Sequence, residues 1–119
     1  MTDNDLVLDF FHRYARALLA RDEKAVADMY AVPALILFPG QSIAVSDAKQ
    51  TEEFFAGAWS QYDGVEDTST DITVVAETAH SIWADVTWHH GNGATERLMY
   101  QLLDTGPQWK IATLTPLAP

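Results

Sequence analysis

The sequence predicts an α+β domain in which helices cover one face of a mostly antiparallel sheet. Three observations predict it. From Leu6 to Ala20 the apolar residues recur at i, i+3 and i+4, the period of a helix with one buried face. Ser81–Leu103, SIWADVTWHHGNGATERLMYQLL, holds two alternating runs on either side of Gly91-Asn92-Gly93, and Asn-Gly between such runs is the strongest short-range hairpin signal. Helical segments come first and strands afterwards, an order that gathers helices on one face of an antiparallel sheet. A curved sheet covered in this way encloses a cavity, and any activity is expected there.

The first helix, Leu6–Ala20, places Leu6, Val7, Phe10, Phe11, Tyr14, Ala17 and Leu18 on one face, and Asp9, His12, Arg13 and Arg16 on the other. Asp9 and Arg13 make a surface pair at i, i+4. Asp22 is a natural N-cap for a short second helix reaching Tyr30. Pro33 is expected to end it, because the residue before a proline is pushed out of the helical region.

Ala34–Phe38 is a continuous apolar run closed by Pro39-Gly40 and reads as a buried strand and turn. Ser42–Val45 is its short return. Ser46 or Asp47 caps a third helix, and Asp47 with Gln50 has the spacing of a capping box. Its apolar stripe is Phe54, Phe55, Ala58, Trp59 and Tyr62, and Gly64 is placed to end it in a left-handed conformation. A long strand over Val65–Ala76, a turn at Glu77-Thr78, the central hairpin, a loop at Asp104–Gln108 and a last strand Trp109–Thr115 complete one domain.

A chain of 119 residues with 48% hydrophobic residues can bury a single core. No apolar run approaches the roughly 20 residues of a membrane span. The acidic start lacks the positive region of a secretory signal. With no cysteine there is no disulfide frame, which fits a cytoplasmic location. Seven basic against 17 acidic residues give a net charge of −10, without the basic stripe that nucleic acid or an anionic membrane surface requires. A neutral or cationic small ligand, or a protein partner, remains open. His89 and His90 are adjacent and so lie on opposite sheet faces, which defeats chelation of one metal by both. No glycine-rich phosphate loop or nucleophile elbow is present, and no cofactor is expected.

The order of elements resembles the nuclear transport factor 2-like superfamily, the cone-shaped fold that includes ketosteroid isomerase, scytalone dehydratase and polyketide cyclases. The run Arg13-Tyr14-Ala15-Arg16-Ala17-Leu18-Leu19-Ala20-Arg21-Asp22, with Met29-Tyr30-Ala31 and Pro39, is similar to the first helix-turn-helix of ketosteroid isomerase. The resemblance implies a cone-shaped curved sheet with three helices on its concave face. It also implies that Tyr14 stands where that enzyme uses a tyrosine to donate to an oxyanion. The isomerase's general-base aspartate falls on Phe38 and its protonated acid near Met99. A base must reach the carbon acid, and phenylalanine cannot serve, so steroid isomerisation by that route is not expected.

In the central hairpin Trp83, Asp85, Thr87 and His89 share one face, while Ile82, Ala84, Val86, Trp88 and His90 share the other. The resemblance implies that the odd-numbered set lines the cavity and the more apolar even-numbered set forms an outer dimer surface. In the competing reading the even set covers the core and Asp85, Thr87 and His89 face solvent or a partner. A two-residue turn places Tyr100 opposite Asp85. A three-residue loop places Met99 there, with Arg97 diagonal to Asp85 and able to keep it charged.

The leading expectation is a homodimer that binds an apolar or aromatic small molecule. Tyr14, Phe38, Phe55, Trp59, Trp83, Thr87 and Met99 are its candidate ligand-binding residues. One alternative is an isomerase, dehydratase or cyclase with Asp85 as base or acid, its pKa raised by burial, His89 as its partner and Tyr14 as donor. Another is a protein-interaction module acting through the outer sheet face that carries Trp88.

Overall fold

The computed structural model describes residues 3–118. The elements run α1 (Asp3–Leu19), α2 (Glu23–Asp28), β1 (Tyr30–Phe38), β2 (Gln41–Val45), α3 (Ala48–Ala56), a 3₁₀ turn (Trp59–Tyr62), β3 (Thr68–Glu77), β4 (Ser81–His90), β5 (Thr95–Asp104) and β6 (Trp109–Pro116). The strands form one curved, unclosed sheet in the order β2-β1-β6-β5-β4-β3. Every neighbouring pair is antiparallel except β1 with β6. No described helix is long and apolar enough to cross a membrane.

The local signals that set these elements are visible in the structure. The Asp22 carboxylate accepts from the Ala25 amide, and Asp47 with Gln50 forms a complete capping box. Gly64 (φ 81°), after the 3₁₀ turn, and Gly93 (φ 92°), in the hairpin loop, are among the glycines in the left-handed region. Several boundaries differ from the sequence expectation, and β1 already begins at Tyr30, so Pro33 lies inside a strand instead of ending a helix. The second helix stops at Asp28, because Tyr30 is already paired with Ile111 across the parallel β1–β6 contact. The third stops at Ala56 and tightens to a 3₁₀ turn after Gly57. The long strand begins at Thr68 rather than Val65.

Curvature comes from register shifts at Val74/Ala76 in β3 and at Gln101/Leu102 between β5 and β6, since a bulge bends a strand and increases its twist. The β4–β5 register pairs Asp85 with Met99 and Thr87 with Arg97, which makes the hairpin loop the three-residue Gly91-Asn92-Gly93.

The direction of β4 corrects the expectation drawn from the resemblance. Ile82, Ala84, Val86 and Trp88 are buried beneath the helices, while Trp83, Asp85, Thr87 and His89 lie on the outer face. Energetics decide the side. Each large apolar side chain gains about 1.5–3 kcal/mol on burial, whereas burying the odd set would desolvate a carboxylate, a hydroxyl and an imidazole. The even set instead meets the stripe Val7, Phe10, Phe11, Tyr14 and Leu18 of α1 in one core, with Phe11 edge-on to Tyr100 at 4.9 Å between ring centroids.

Candidate functional site

Between α3 with its 3₁₀ turn and the inner face of the β4–β5 hairpin lies a cavity of about 670 Å³, open to solvent on one side. Leu18 of α1 and Leu98, Tyr100 and Leu114 of the sheet contribute to its inner wall, beside Tyr14 and Trp88. The α3 segment supplies Phe54, Phe55, Ala58 and Tyr62. Phe38 also lines it, its ring centroid 5.7 Å from that of Phe54. Besides the tyrosines, its polar lining residues are Gln41, Glu53, Gln61, His90, Thr95, Glu96 and Arg97.

The interior carries phenols. Tyr14 and Tyr30 hydroxyls lie 2.6 Å apart, and Trp88 Nε1 donates to the Tyr100 hydroxyl at 3.0 Å. An indole N–H can only donate, so the Tyr100 oxygen accepts and keeps its own proton for another acceptor. Likewise the Tyr14–Tyr30 pair has two protons and needs one between them. Burial pushes Tyr14, Tyr30 and Tyr100 well above the usual phenol range. Tyr62 is pushed up to about 12, first by burial and then by the Glu96 carboxylate. All four are therefore neutral at pH 7 and able to donate.

On the cavity lining, His90 is held from three directions. Its Nδ1 lies 3.0 Å from Thr68 Oγ1, its ring stacks on Trp88, and the Tyr62 ring meets it edge-on. Its Nε2 is 3.9 Å from Glu96 Oε2. Tyr62 is itself anchored, because Arg21 donates to the backbone carbonyls of Leu19, Tyr62 and Val65. Arg21 achieves this from φ 50°, a left-handed position just past α1 where glycine is usual.

Of the residues singled out from sequence, Tyr14, Phe38 and Phe55 line the cavity. Trp59 packs on Phe55 and Tyr62 and turns its Nε1 to Glu23 Oε2 at 3.4 Å, leaving it behind the wall. Trp83, Asp85, Thr87, His89 and Met99 are on the other side of the sheet. Asp85 is gripped by Arg97, with contacts of 3.0 and 2.5 Å, and this hydrogen bonding holds its carboxyl below the usual range. That is opposite to the raised value an acid or base at pH 7 needs. His89 Nε2 is 2.7 Å from Asp71 in the open. The trio Asp85, His89 and Tyr14 therefore does not converge on one space, because Tyr14 is in the core and the other two are on the outer face. Trp88, His90, Glu96 and Tyr100 take their place in the cavity. The greater apolar content of the even set was the signal that could have found Trp88 and, with it, His90.

A curved open sheet with three helices matches the nuclear transport factor 2-like class. Residues 3–119 match the family described as NTF2-like protein (DUF6841), and the chain belongs to that family. Solved structures agree on the fold. An NTF2-like protein from Cytophaga hutchinsonii ATCC 33406 superposes with a TM-score of 0.75 at 15% identity, covering 100% of both chains. An NTF-2 like protein of unknown function from Shewanella oneidensis MR-1 gives 0.74 at 11% identity, covering 97% of this chain and 98% of the other. Aln2 from a Streptomyces species gives 0.71 at 18% identity, covering 96% of this chain and 88% of the other. Among curated proteins none matches the chain.

Proposed function

We propose that the cavity binds a small apolar or aromatic molecule bearing a hydrogen-bond acceptor. The observation that carries this reading is an aromatic-walled hollow of about 670 Å³ with neutral, proton-bearing phenols among its buried lining. Ligand sites typically span about 300–1,000 Å³, are mostly apolar, and hold a few placed polar groups that fix orientation. Tyr14, Phe38, Phe55 and Trp88 provide the walls, and Tyr100, whose oxygen accepts from Trp88 Nε1, provides the donor.

Titration with 2-acetylnaphthalene, an aromatic ketone, tests it. Saturable quenching of tryptophan fluorescence is expected, with amide shifts at Trp88, Phe55 and Tyr100. Shifts confined to Trp83 and the outer face, or no saturable binding, would refute the reading.

A second reading concerns assembly. The outer face sets Trp83, Met99 and Leu103 on neighbouring strands, and its Asp85 charge is already met by Arg97. A second copy can approach such a surface without bringing unpaired carboxylates together, despite the net charge of −10. We therefore propose a homodimer through this face, using the odd-numbered residues of β4 rather than Trp88. Sedimentation of the protein and of Trp83→Glu tests it: a dimer that the substitution dissociates supports the reading, and a monomer in both ends it.

A further inference from the structure

We infer that the ligand of this cavity is a cation, a protonated amine carried on an aromatic or apolar body. The inference rests on the cavity reading above and adds a charge to its ligand.

The cavity's carboxylates are not answered from within the chain. Glu53 and Glu96 both line it, and Arg97 is the one lysine or arginine among the described lining residues. Arg97 follows Glu96 in β5, so its side chain leaves the opposite face of the strand. There its guanidinium donates to Asp85 and to the Ala118 carbonyl. Arg21 stands over the Tyr62 ring, and it donates to the carbonyls of Leu19, Tyr62 and Val65. Among the described residues no lysine or arginine pairs with Glu96.

What Glu96 does face is a second acceptor. Thr68 Oγ1 lies 3.3 Å from the His89 carbonyl and 3.0 Å from His90 Nδ1. A carbonyl only accepts, so the hydroxyl donates to it and accepts from Nδ1–H. In the neutral imidazole the lone pair is then on Nε2, which faces Glu96 Oε2 at 3.9 Å. Two acceptors, one of them charged, thus stand together on the cavity lining. An ammonium only donates and is attracted to both, whereas a carboxylate ligand is repelled.

The field of Glu96 reaches well into the hollow. Burial is the main reason that the phenols of Tyr62, Tyr14 and Tyr100 resist ionisation, and the Glu96 carboxylate adds to it at all three. At Tyr62 its effect is second only to burial and exceeds the opposing effect of Arg21. A field that opposes a phenolate opposes any anionic ligand and favours a cationic one. The Trp88, Tyr62 and Phe54 rings of the same lining act in the same sense, because a ring face attracts a cation.

Calorimetry on the full chain at pH 7 compares 2-naphthylmethylamine, 2-naphthylmethanol and 2-naphthoate, which vary the charge on one ring system. 2-Acetylnaphthalene serves as the neutral probe of the cavity itself. The amine is expected to bind about tenfold more tightly than the alcohol, and the naphthoate more weakly than either. Glu96→Gln keeps the shape of the side chain and is expected to cut the amine's advantage at least threefold. Asp71→Asn removes the same charge beside His89 on the outer face and is expected to leave that advantage unchanged. This comparison separates the site from the general attraction of an acidic protein for cations. The Glu96 carboxyl ¹³C signal should move with the amine and stay put with the alcohol. Equal affinity for amine and alcohol, or an advantage undiminished by Glu96→Gln, would overturn the inference. So would an advantage that Asp71→Asn reduces as much as Glu96→Gln does. Binding of 2-acetylnaphthalene without any charge preference in the series overturns it and leaves the cavity reading intact. Binding of none of the four overturns both.

Discussion

The Tyr14–Tyr30 pair makes a prediction whose magnitude follows from what the two hydroxyls can do for each other. They are fully enclosed and 2.6 Å apart, so each is the other's partner in the core. A neutral intramolecular hydrogen bond is worth about 1 kcal/mol net, while a buried hydroxyl left without a partner costs about 1–3 kcal/mol. Tyr14→Phe and Tyr30→Phe should therefore each destabilise by about 2 kcal/mol. The double substitution removes both polar groups and should cost less than the sum by at least about 1 kcal/mol. For a chain of this length, each kcal/mol corresponds to about 4 °C in Tm. Urea unfolding followed by far-ultraviolet circular dichroism gives all four corners of the cycle. The coupling should be the same at pH 6 and pH 9, because burial keeps both phenols protonated throughout. Strict additivity, or a coupling that changes across that interval, would show that the hydroxyls do not depend on each other.

Stability should fall above about pH 10, where the unfolded chain releases phenol protons that the folded state retains, and the fall should be shallower in the double phenylalanine variant. The depressed Asp85 carboxyl has the reverse sign: Asp85→Asn should lower stability at pH 7, and the gap should close in acid titrations as pH falls through the folded value. Asp85→Asn and His89→Ala should leave 2-acetylnaphthalene affinity unchanged, since both side chains are on the outer face, and a loss above threefold in calorimetry would contradict the placement. Asp47→Ala removes the cap of α3 and should cost about 1 kcal/mol in urea melts. Arg21→Ala gives up three carbonyl contacts and places alanine at φ 50°; a loss of about 2 kcal/mol is expected, with line broadening of the Tyr62 ring in NMR spectra.

Local chemistry was written plainly in the chain. The stripe of α1, the caps at Asp22 and Asp47, the left-handed glycines and the Asn-Gly hairpin depend on neighbours a few residues away, so period and turn rules reach them. Those pieces, in their order, determined an α+β arrangement before any contact was known, and the family resemblance added the cone. The sequence also partitioned β4 correctly into Trp83, Asp85, Thr87 and His89 against Ile82, Ala84, Val86, Trp88 and His90. An alternation of period two carries no label for inside, because both sets are internally consistent and each holds a tryptophan. The side was decided by what α1 and α3 could bury, and their apolar stripes match the set without a carboxylate. Tertiary structure decided between the two hairpin registers, setting Arg97 on Asp85, and brought Tyr62 of the 3₁₀ turn to the His90, Glu96 and Tyr100 side of the hairpin, a meeting no local rule specifies.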